Sequence, residues 1–276
     1  MSRKWLRVAK EIGSETNKMR PKRIILIRHA ESQANEDESI LSHVPDPKVG
    51  ITGRGTRQAH DLGEALKDIV QDEKVFFHCS PYMRAKRTLE EIVSRFPKGQ
   101  YLAREEPRIR EQDFGNLQCH DPHLTGNKLA AKMSEIKKER EHFGRFFYRF
   151  PNGESGADVY DRVSTFLETL HRDFDKPGFG PWLYNNVGLV SHGIFMRLFL
   201  MRWYRWSVEE FEALENFKNA EYVIMERQDN GPHRDQYEVL NKESKLRPWK
   251  GINMPSWSEQ QPYVTLRQSP TYAPWD

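Results

Sequence analysis

Cysteine is scarce in this chain: there are two, Cys79 and Cys119, in 276 residues. One disulfide could not staple a chain of this length, so a disulfide scaffold is excluded and a reducing, cytoplasmic setting is expected. Long apolar runs are missing too. The longest apolar stretch, Ile194 to Trp206, is broken by Arg197, Arg202 and Arg205, so no membrane insertion is expected. Met1 to Arg20 is charged and has no apolar centre, which is not how a secretory signal reads. An excess of one charge is absent: 43 basic residues face 40 acidic ones, a net charge of +3. That balance excludes a general nucleic-acid binder but leaves room for a small basic pocket. No internal repeat is present.

What is there reads as alternating strands and helices. Arg23 to Ile27 is a short, β-branched, unalternating run of the kind found in parallel strands covered on both faces. Thr52 suits the N-cap of a helix over 53–70, with Ala59, Leu62, Leu66 and Ile69 on one face. A strand is expected over 75–79, a helix over 81–95, a strand near 100–103, a helix over 155–174 with Val159, Val163, Phe166, Leu167 and Leu170 inward, a strand over 187–190, a helix to about Trp203 and a strand over 221–226. This order implies a three-layer α/β/α sandwich with a mostly parallel central sheet.

At 30% charged residues the composition is polar for one compact domain, so polar extensions are expected. The plan is a polar arm over 1–20, with a short helix at Trp5 to Ile12, a catalytic domain over 21–227 and a C-terminal extension over 228–276. Within the domain, about 116–150 reads as a helical lid inserted over the active site and ending in Phe146, Phe147 and Tyr148. Its Lys and Arg content fits either a solvated helix face or a lid that attracts an anionic substrate, and the sequence favours neither. The tail carries Trp249, Trp257, Tyr263, Tyr272 and Trp275, aromatic anchors expected to wrap its own domain.

The chemistry sits at strand ends. Arg28-His29 follows the first buried strand, Ser191-His192-Gly193 follows a later one, and Arg84 follows a third. Ligands of open α/β sheets bind outside the carboxyl ends of the strands, so two imidazoles and two guanidiniums are expected in one crevice. Guanidinium donors match phosphate oxygens, and a neutral imidazole is a competent nucleophile toward phosphorus. A departing alkoxide needs a proton, so a carboxylic acid should stand near the opening. An Arg-His pair alone is more often a surface feature, and a lone histidine more often a satisfied core group; the apolar run ahead of one and the company of the other decide against both readings. The remaining histidines show no metal-ligand spacing, and neither metal nor cofactor is expected.

Six segments in fixed order resemble the histidine phosphatase superfamily, in its phosphoglycerate mutase-like branch: Arg28-His29-Ala30-Glu31-Ser32, Ile51-Thr52-Gly53-Arg54-Gly55, Ser80 to Thr88 with Arg84-Ala85, Glu111 to Gly115, Gly153-Glu154-Ser155 and Val190-Ser191-His192-Gly193. The resemblance implies that His29 becomes phosphohistidine and that Arg28, Arg84 and His192 cradle the phosphoryl group. Glu111 is implied as general acid and later base, with Asp113 or Glu154 as substitutes. Asn35, Thr52 and Gly53 are implied at the entrance, Glu154 beside the site, and Gly193 as a backbone donor at a helix start. Two positions depart from the family pattern. Ala30 stands where glycine is usual, adding a methyl group near the pocket. Gly193 stands where the acid phosphatase branch carries its proton-donating aspartate, which moves that role to Glu111.

The expected activity is phosphomonoester hydrolysis, on a small phosphorylated substrate or a phosphoprotein. The alternatives are a phosphoglycerate-type phosphomutase, disfavoured because no Arg- and Lys-rich segment with a proline run lies between Leu117 and Phe150, and a non-catalytic phospho-ligand-binding protein, disfavoured because all four pocket residues are present. Oligomeric state and specificity are not readable from the sequence.

Overall fold

Arg23–Arg28 forms the first strand, β1, and its side chains divide between two cores. Successive residues of a strand point to opposite faces. Ile24 and Leu26 join one apolar cluster and Ile25 and Ile27 another, all of them buried. A strand apolar on both faces has to be covered on both, which is the physical origin of the three layers.

The computed structural model describes residues 20–115, 127–174, 184–228, 237–240 and 247. After β1 come α1 (Gly53–Val70), β2 (Val75–Cys79), α2 (Met83–Val93), β3 (Tyr101–Glu105), α3 (Asn127–Phe143), α4 (Gly156–Phe174), β4 (Asn186–Ser191), α5 (Gly193–Tyr204), α6 (Val208–Ala213), β5 (Tyr222–Arg227) and β6 (Tyr237–Val239). They build one sheet in the order β3-β2-β4-β1-β5-β6. The first four strands of that order run parallel, whereas β5 is antiparallel to β1 and β6 to β5. Leu62, Leu66 and Val70 of α1 and Leu89 and Ile92 of α2 cover the Ile25 face. Val163, Phe166 and Leu170 of α4 and Phe195 and Phe199 of α5 cover the Leu26 face. The expected three-layer sandwich is the fold found.

Several boundaries differ from expectation. Helix α3, expected to run to about Phe150, ends at Phe143 because Gly144 turns the chain at φ +93°. The helix is held by few apolar side chains: Ile136 is buried beside Phe150, with Met133, Phe114 and Tyr148 around them. The short helix α6 carries no long apolar stripe and is set by a capping box, with Ser207 accepting from Glu210 N. Strand β6 falls inside the expected extension, so the sheet continues past residue 227. Its alternation, Tyr237 and Val239 buried around Glu238, is too short to read as a pattern. The expected helix at Trp5 to Ile12 and the tail aromatics lie outside the described residues. Among the described residues no helix is long and apolar enough to cross a membrane.

Candidate active site

Strands β1 and β4 are parallel neighbours, with Arg28 paired to Ser191. His29 and His192 therefore leave the sheet at the same edge, one residue beyond that pair. Strand β2 flanks β4 on its other side, with Cys79 paired to Val190, and delivers Ser80 and then Arg84 to the same edge. Register alone thus gathers the expected residues.

The ring centroids of His29 and His192 lie 5.2 Å apart, tilted by 58°. His29 Nδ1 stands 2.8 Å from the carbonyl oxygen of Ala30. A carbonyl only accepts, so Nδ1 carries the proton and donates, which leaves the lone pair on Nε2. Burial, and then the charges of Arg84, His192 and Arg28, hold the His29 pKa well below the ordinary imidazole value. The ring is neutral when phosphate esters are ionised. His192 is fully buried, with Ser80 Oγ 2.8 Å from Nε2 and Glu111 Oε2 3.3 Å from Nδ1. Burial lowers its pKa too, and Glu111 opposes that effect.

Glu111 also lies 3.7 Å from Arg84 Nη2. Burial raises its pKa, but His192, Arg84 and His29 outweigh burial and keep the carboxyl well below its usual range. Arg84 itself is buried and clamped by Asp46: Nη1 donates to Oδ1 at 2.7 Å and to the carbonyl oxygen at 3.0 Å, and Nη2 donates to Oδ2 at 3.1 Å. Those bonds occupy the Nη1–Nη2 edge of the guanidinium. The Nε–Nη2 edge is left for a bidentate anion contact. Arg28 Nη1 donates to the Phe217 carbonyl, and its buried Nε has no hydrogen-bond partner.

Of the residues expected at the entrance, Thr52 and Asn35 are held by hydrogen bonds. Thr52 Oγ1 donates to Glu31 Oε1 at 2.8 Å and caps α1 by accepting from Gly55 N at 2.9 Å. Gly53 is the exposed first residue of α1. Asn35 Oδ1 accepts from Asn219 Nδ2, which also reaches the His29 carbonyl. Gly193 opens α5 directly after His192, and an added Cβ there would lie 2.0 Å from Asn216 Oδ1. Ala30 keeps a negative φ, and its N–H donates to Thr88 Oγ1 at 2.9 Å, so the extra methyl group is accommodated without strain.

Glu154 stands apart from this cluster. Its carboxylate is held by Arg110 and Arg162, and it accepts from Asp113 N, so it braces the loop that carries Glu111. Sequence reasoning missed Asp46, Tyr82 and the role of Ser80. Ser80 sits at the end of β2, the same signal that marked both histidines. Tyr82 places its ring edge-on to His192 at 5.3 Å, and Arg84 lies over that ring at 5.0 Å. Asp46, between Pro45 and Pro47, carried no signal that separates it from a solvated loop acid.

One nitrogen from each histidine and one Glu111 oxygen lie within 4.8 Å of one another, a donor set that a cation could bridge. The guanidiniums of Arg84 and Arg28 act on the same groups and oppose a cation there. Neutral imidazoles against two buried guanidiniums, at the carboxyl edge of a parallel sheet, define an anion site of the class that handles phosphoryl groups.

Residues 24–239 match the histidine phosphatase superfamily (branch 1). The chain belongs to that family. It is 43% identical over 245 residues to the phosphoglycerate mutase-like protein AT74 of Arabidopsis thaliana, covering 86% of this chain and 74% of that protein. It is 33% identical over 310 residues to the broad-range acid phosphatase DET1 of Saccharomyces cerevisiae, covering 79% of this chain and 89% of the relative. A solved mycobacterial glucosyl-3-phosphoglycerate phosphatase shares the fold with a TM-score of 0.58 at 19% identity, over 80% of this chain and 97% of that one. The expected enzyme class, a phosphoric monoester hydrolase, agrees with this family and with the acid phosphatase name of the yeast relative.

Proposed function

We propose that the chain is a phosphomonoester hydrolase that works through phosphohistidine at His29, with Glu111 as proton donor and acceptor. The observation that carries this reading is the Nδ1–H bond from His29 to the Ala30 carbonyl, which leaves the Nε2 lone pair for attack. Arg28, the open edge of Arg84, His192 and the Gly193 N–H at the start of α5 bind the non-bridging oxygens. Asn35, Thr52 and Gly53 line the way in.

In the first step Nε2 bonds to phosphorus and the phosphorus–ester oxygen bond breaks. The departing alkoxide takes a proton from Glu111. In the second, water attacks phosphorus, its proton goes to Glu111, and the phosphorus–nitrogen bond breaks. Inorganic phosphate leaves and the His29 lone pair is restored. Because Glu111 is ionised in the free site, its proton arrives with the substrate. A phosphomonoester monoanion, populated below a second pKa near about 6, brings that proton into the site, and its negative charge beside Glu111 raises the carboxyl's hold on a proton. The rate on alkyl esters therefore rises as pH falls through that range, and His29 stays neutral there because its own pKa is depressed.

A cytoplasmic setting fits the free, buried thiol of Cys79, whose pKa burial pushes up to about 12. The substrate is a small phosphorylated molecule or a phosphoprotein.

The test is release of phosphate from p-nitrophenyl phosphate across pH 4 to 8, with His29→Ala as control, and trapping of acid-labile phosphate on the wild-type chain. Turnover that depends on His29 supports the reading. Turnover indifferent to His29 overturns it. Transfer between phosphoglycerates without net phosphate release would make the chain a mutase, and binding without turnover would make it a phospho-ligand carrier.

A further inference from the structure

The connection between α6 and β5 holds the nucleophile segment from behind. Arg28 N donates to the Glu221 carbonyl at 2.9 Å, and Arg28 Nη1 donates to the Phe217 carbonyl. The His29 carbonyl accepts from Ala220 N at 3.1 Å and from Asn219 Nδ2 at 3.3 Å. Where Arg28 and His29 sit therefore depends on where this connection sits. Residues 215–221 belong to no helix or strand, so no ladder of their own fixes them. Ala220 turns at φ +55°, a conformation that a residue with a Cβ adopts only when its surroundings impose it.

The imposing group is Arg247. Its Nε donates to Glu215 Oε2 at 2.9 Å, its Nη1 to Glu221 Oε1 at 2.7 Å and its Nη2 to Glu221 Oε2 at 2.8 Å. Its carbonyl accepts from Glu215 N at 2.8 Å, which ties its backbone to the same place. One guanidinium thus joins the two ends of the connection. Glu221 Oε2 also accepts from Lys218 N at 2.6 Å, so the clamp reaches the middle of the loop. The Glu221 side chain is only 10% exposed and that of Arg247 23%. A single surface ion pair fixes little, but a bidentate pair extended to a second carboxylate and partly shielded from water fixes geometry. Arg247 lies beyond residue 239, where the family match ends.

We propose that Arg247 is a positioning residue for Arg28 and His29, acting through the 215–221 loop, so that the chain past the family domain supplies a working part of the phosphoryl site. This rests on the reading of Arg28 and His29 as phosphoryl-binding and phosphoryl-accepting groups. Arg247 touches no reacting atom. Its effect passes through the carbonyls of Phe217 and Glu221 and the donors of Asn219 and Ala220.

Arg247→Met in the full chain tests it, at a temperature where circular dichroism shows the fold intact. kcat/KM on p-nitrophenyl phosphate should fall by about tenfold, the scale of a small misplacement of pocket groups. Calorimetric binding of inorganic phosphate should weaken in parallel. Arg247→Lys cannot make the bidentate pair and should keep only part of both. Lys22→Met removes an ion pair with Glu73 at the opposite end of β1 and should change neither. In an Arg28→Ala background the loss of phosphate affinity on Arg247→Met should shrink, because the effect passes through Arg28. Unchanged kcat/KM and phosphate affinity in Arg247→Met overturn the proposal even if the melting temperature falls, since a mere anchor of the chain would lower stability alone. A loss of the same size with and without Arg28 overturns it as well. Phosphate binding needs no turnover, so hydrolysis indifferent to His29 would end the hydrolase reading while the clamp is still measured.

Discussion

Asp46 grips Arg84 along one edge of its guanidinium, with Oδ1 and Oδ2 at 2.7 and 3.1 Å, and so fixes which edge meets the substrate. Both groups are almost wholly buried, at 5% and 4% side-chain exposure, so solvent screens the pair little. Asp46→Ala would leave a buried guanidinium uncompensated. The expected cost is about 3 kcal/mol of unfolding free energy in urea. A drop of about a hundredfold in kcat/KM on p-nitrophenyl phosphate is expected as well, because the open edge loses its aim. Stability and kcat/KM both within twofold of wild type would remove Asp46 from this role.

Glu111 sits where a proton donor to the leaving group is required, close to His192 and Arg84. General acid catalysis matters in proportion to how poor the leaving group is. Glu111→Gln should therefore lower kcat on glycerol 3-phosphate by about a hundredfold to ten-thousandfold. The loss on p-nitrophenyl phosphate should be much smaller, because nitrophenolate departs without a proton. Equal losses on both substrates would assign the proton to another group.

His78 offers a test of pH-dependent stability away from the chemistry. It is 1% exposed in β2, both ring nitrogens lack hydrogen-bond partners, and it packs against Phe76 and Phe166. Burial, and then Arg104, push its pKa down to about 3. The unfolded chain takes up that proton near the ordinary value of about 6.5, so unfolding binds protons. The stability is full above that value and is lost as pH falls from it toward 3. At pH 5 the loss is about 2 kcal/mol from this residue. His78→Leu should remove that share of the slope between pH 5 and 7 in urea titrations. An unchanged slope would mean that the native ring is protonated or bonded.

The layers were legible because their cause is local. Ile24 to Ile27 is apolar at every position, and only a strand covered on both faces can be so. The inward stripe of α4, Val159 to Leu170, is found buried as its spacing implies. The meeting of His29 with His192 was legible because parallel register places both strand ends at one edge. Partners set by tertiary approach were not legible. Asp46 reaches Arg84 across 38 residues, and Arg197 within an apolar helix reads as a break in the pattern until the Phe211 ring of α6 and the Leu214 carbonyl meet it. The resemblance of Gly153-Glu154-Ser155 implies Glu154 beside the site; its carboxylate is held instead by Arg110 and Arg162.

That placement leads to a prediction about coupling. Arg162 uses all five of its donors: Nε on Glu154 Oε1, Nη1 on the carbonyls of Arg108 and Arg110, and Nη2 on the Glu111 carbonyl and Glu154 Oε2. Glu154 in turn accepts from Asp113 N at 3.0 Å, and its carbonyl accepts from Gln112 at 2.8 Å. The loop from Arg108 to Asp113 is thus tied to α4 through Arg162 and its Glu154 partner, and Glu111 rides on that loop. Glu154→Gln keeps the shape but weakens the charge-assisted bonds, so Glu111 is held less firmly. On glycerol 3-phosphate kcat should fall by about tenfold, since small displacements of a catalytic group are costly. If the effect passes through Glu111, it should nearly vanish in a Glu111→Gln background, a coupling that a double-mutant cycle reads directly. Additive losses in the double variant would show that Glu154 acts on the substrate by a separate route.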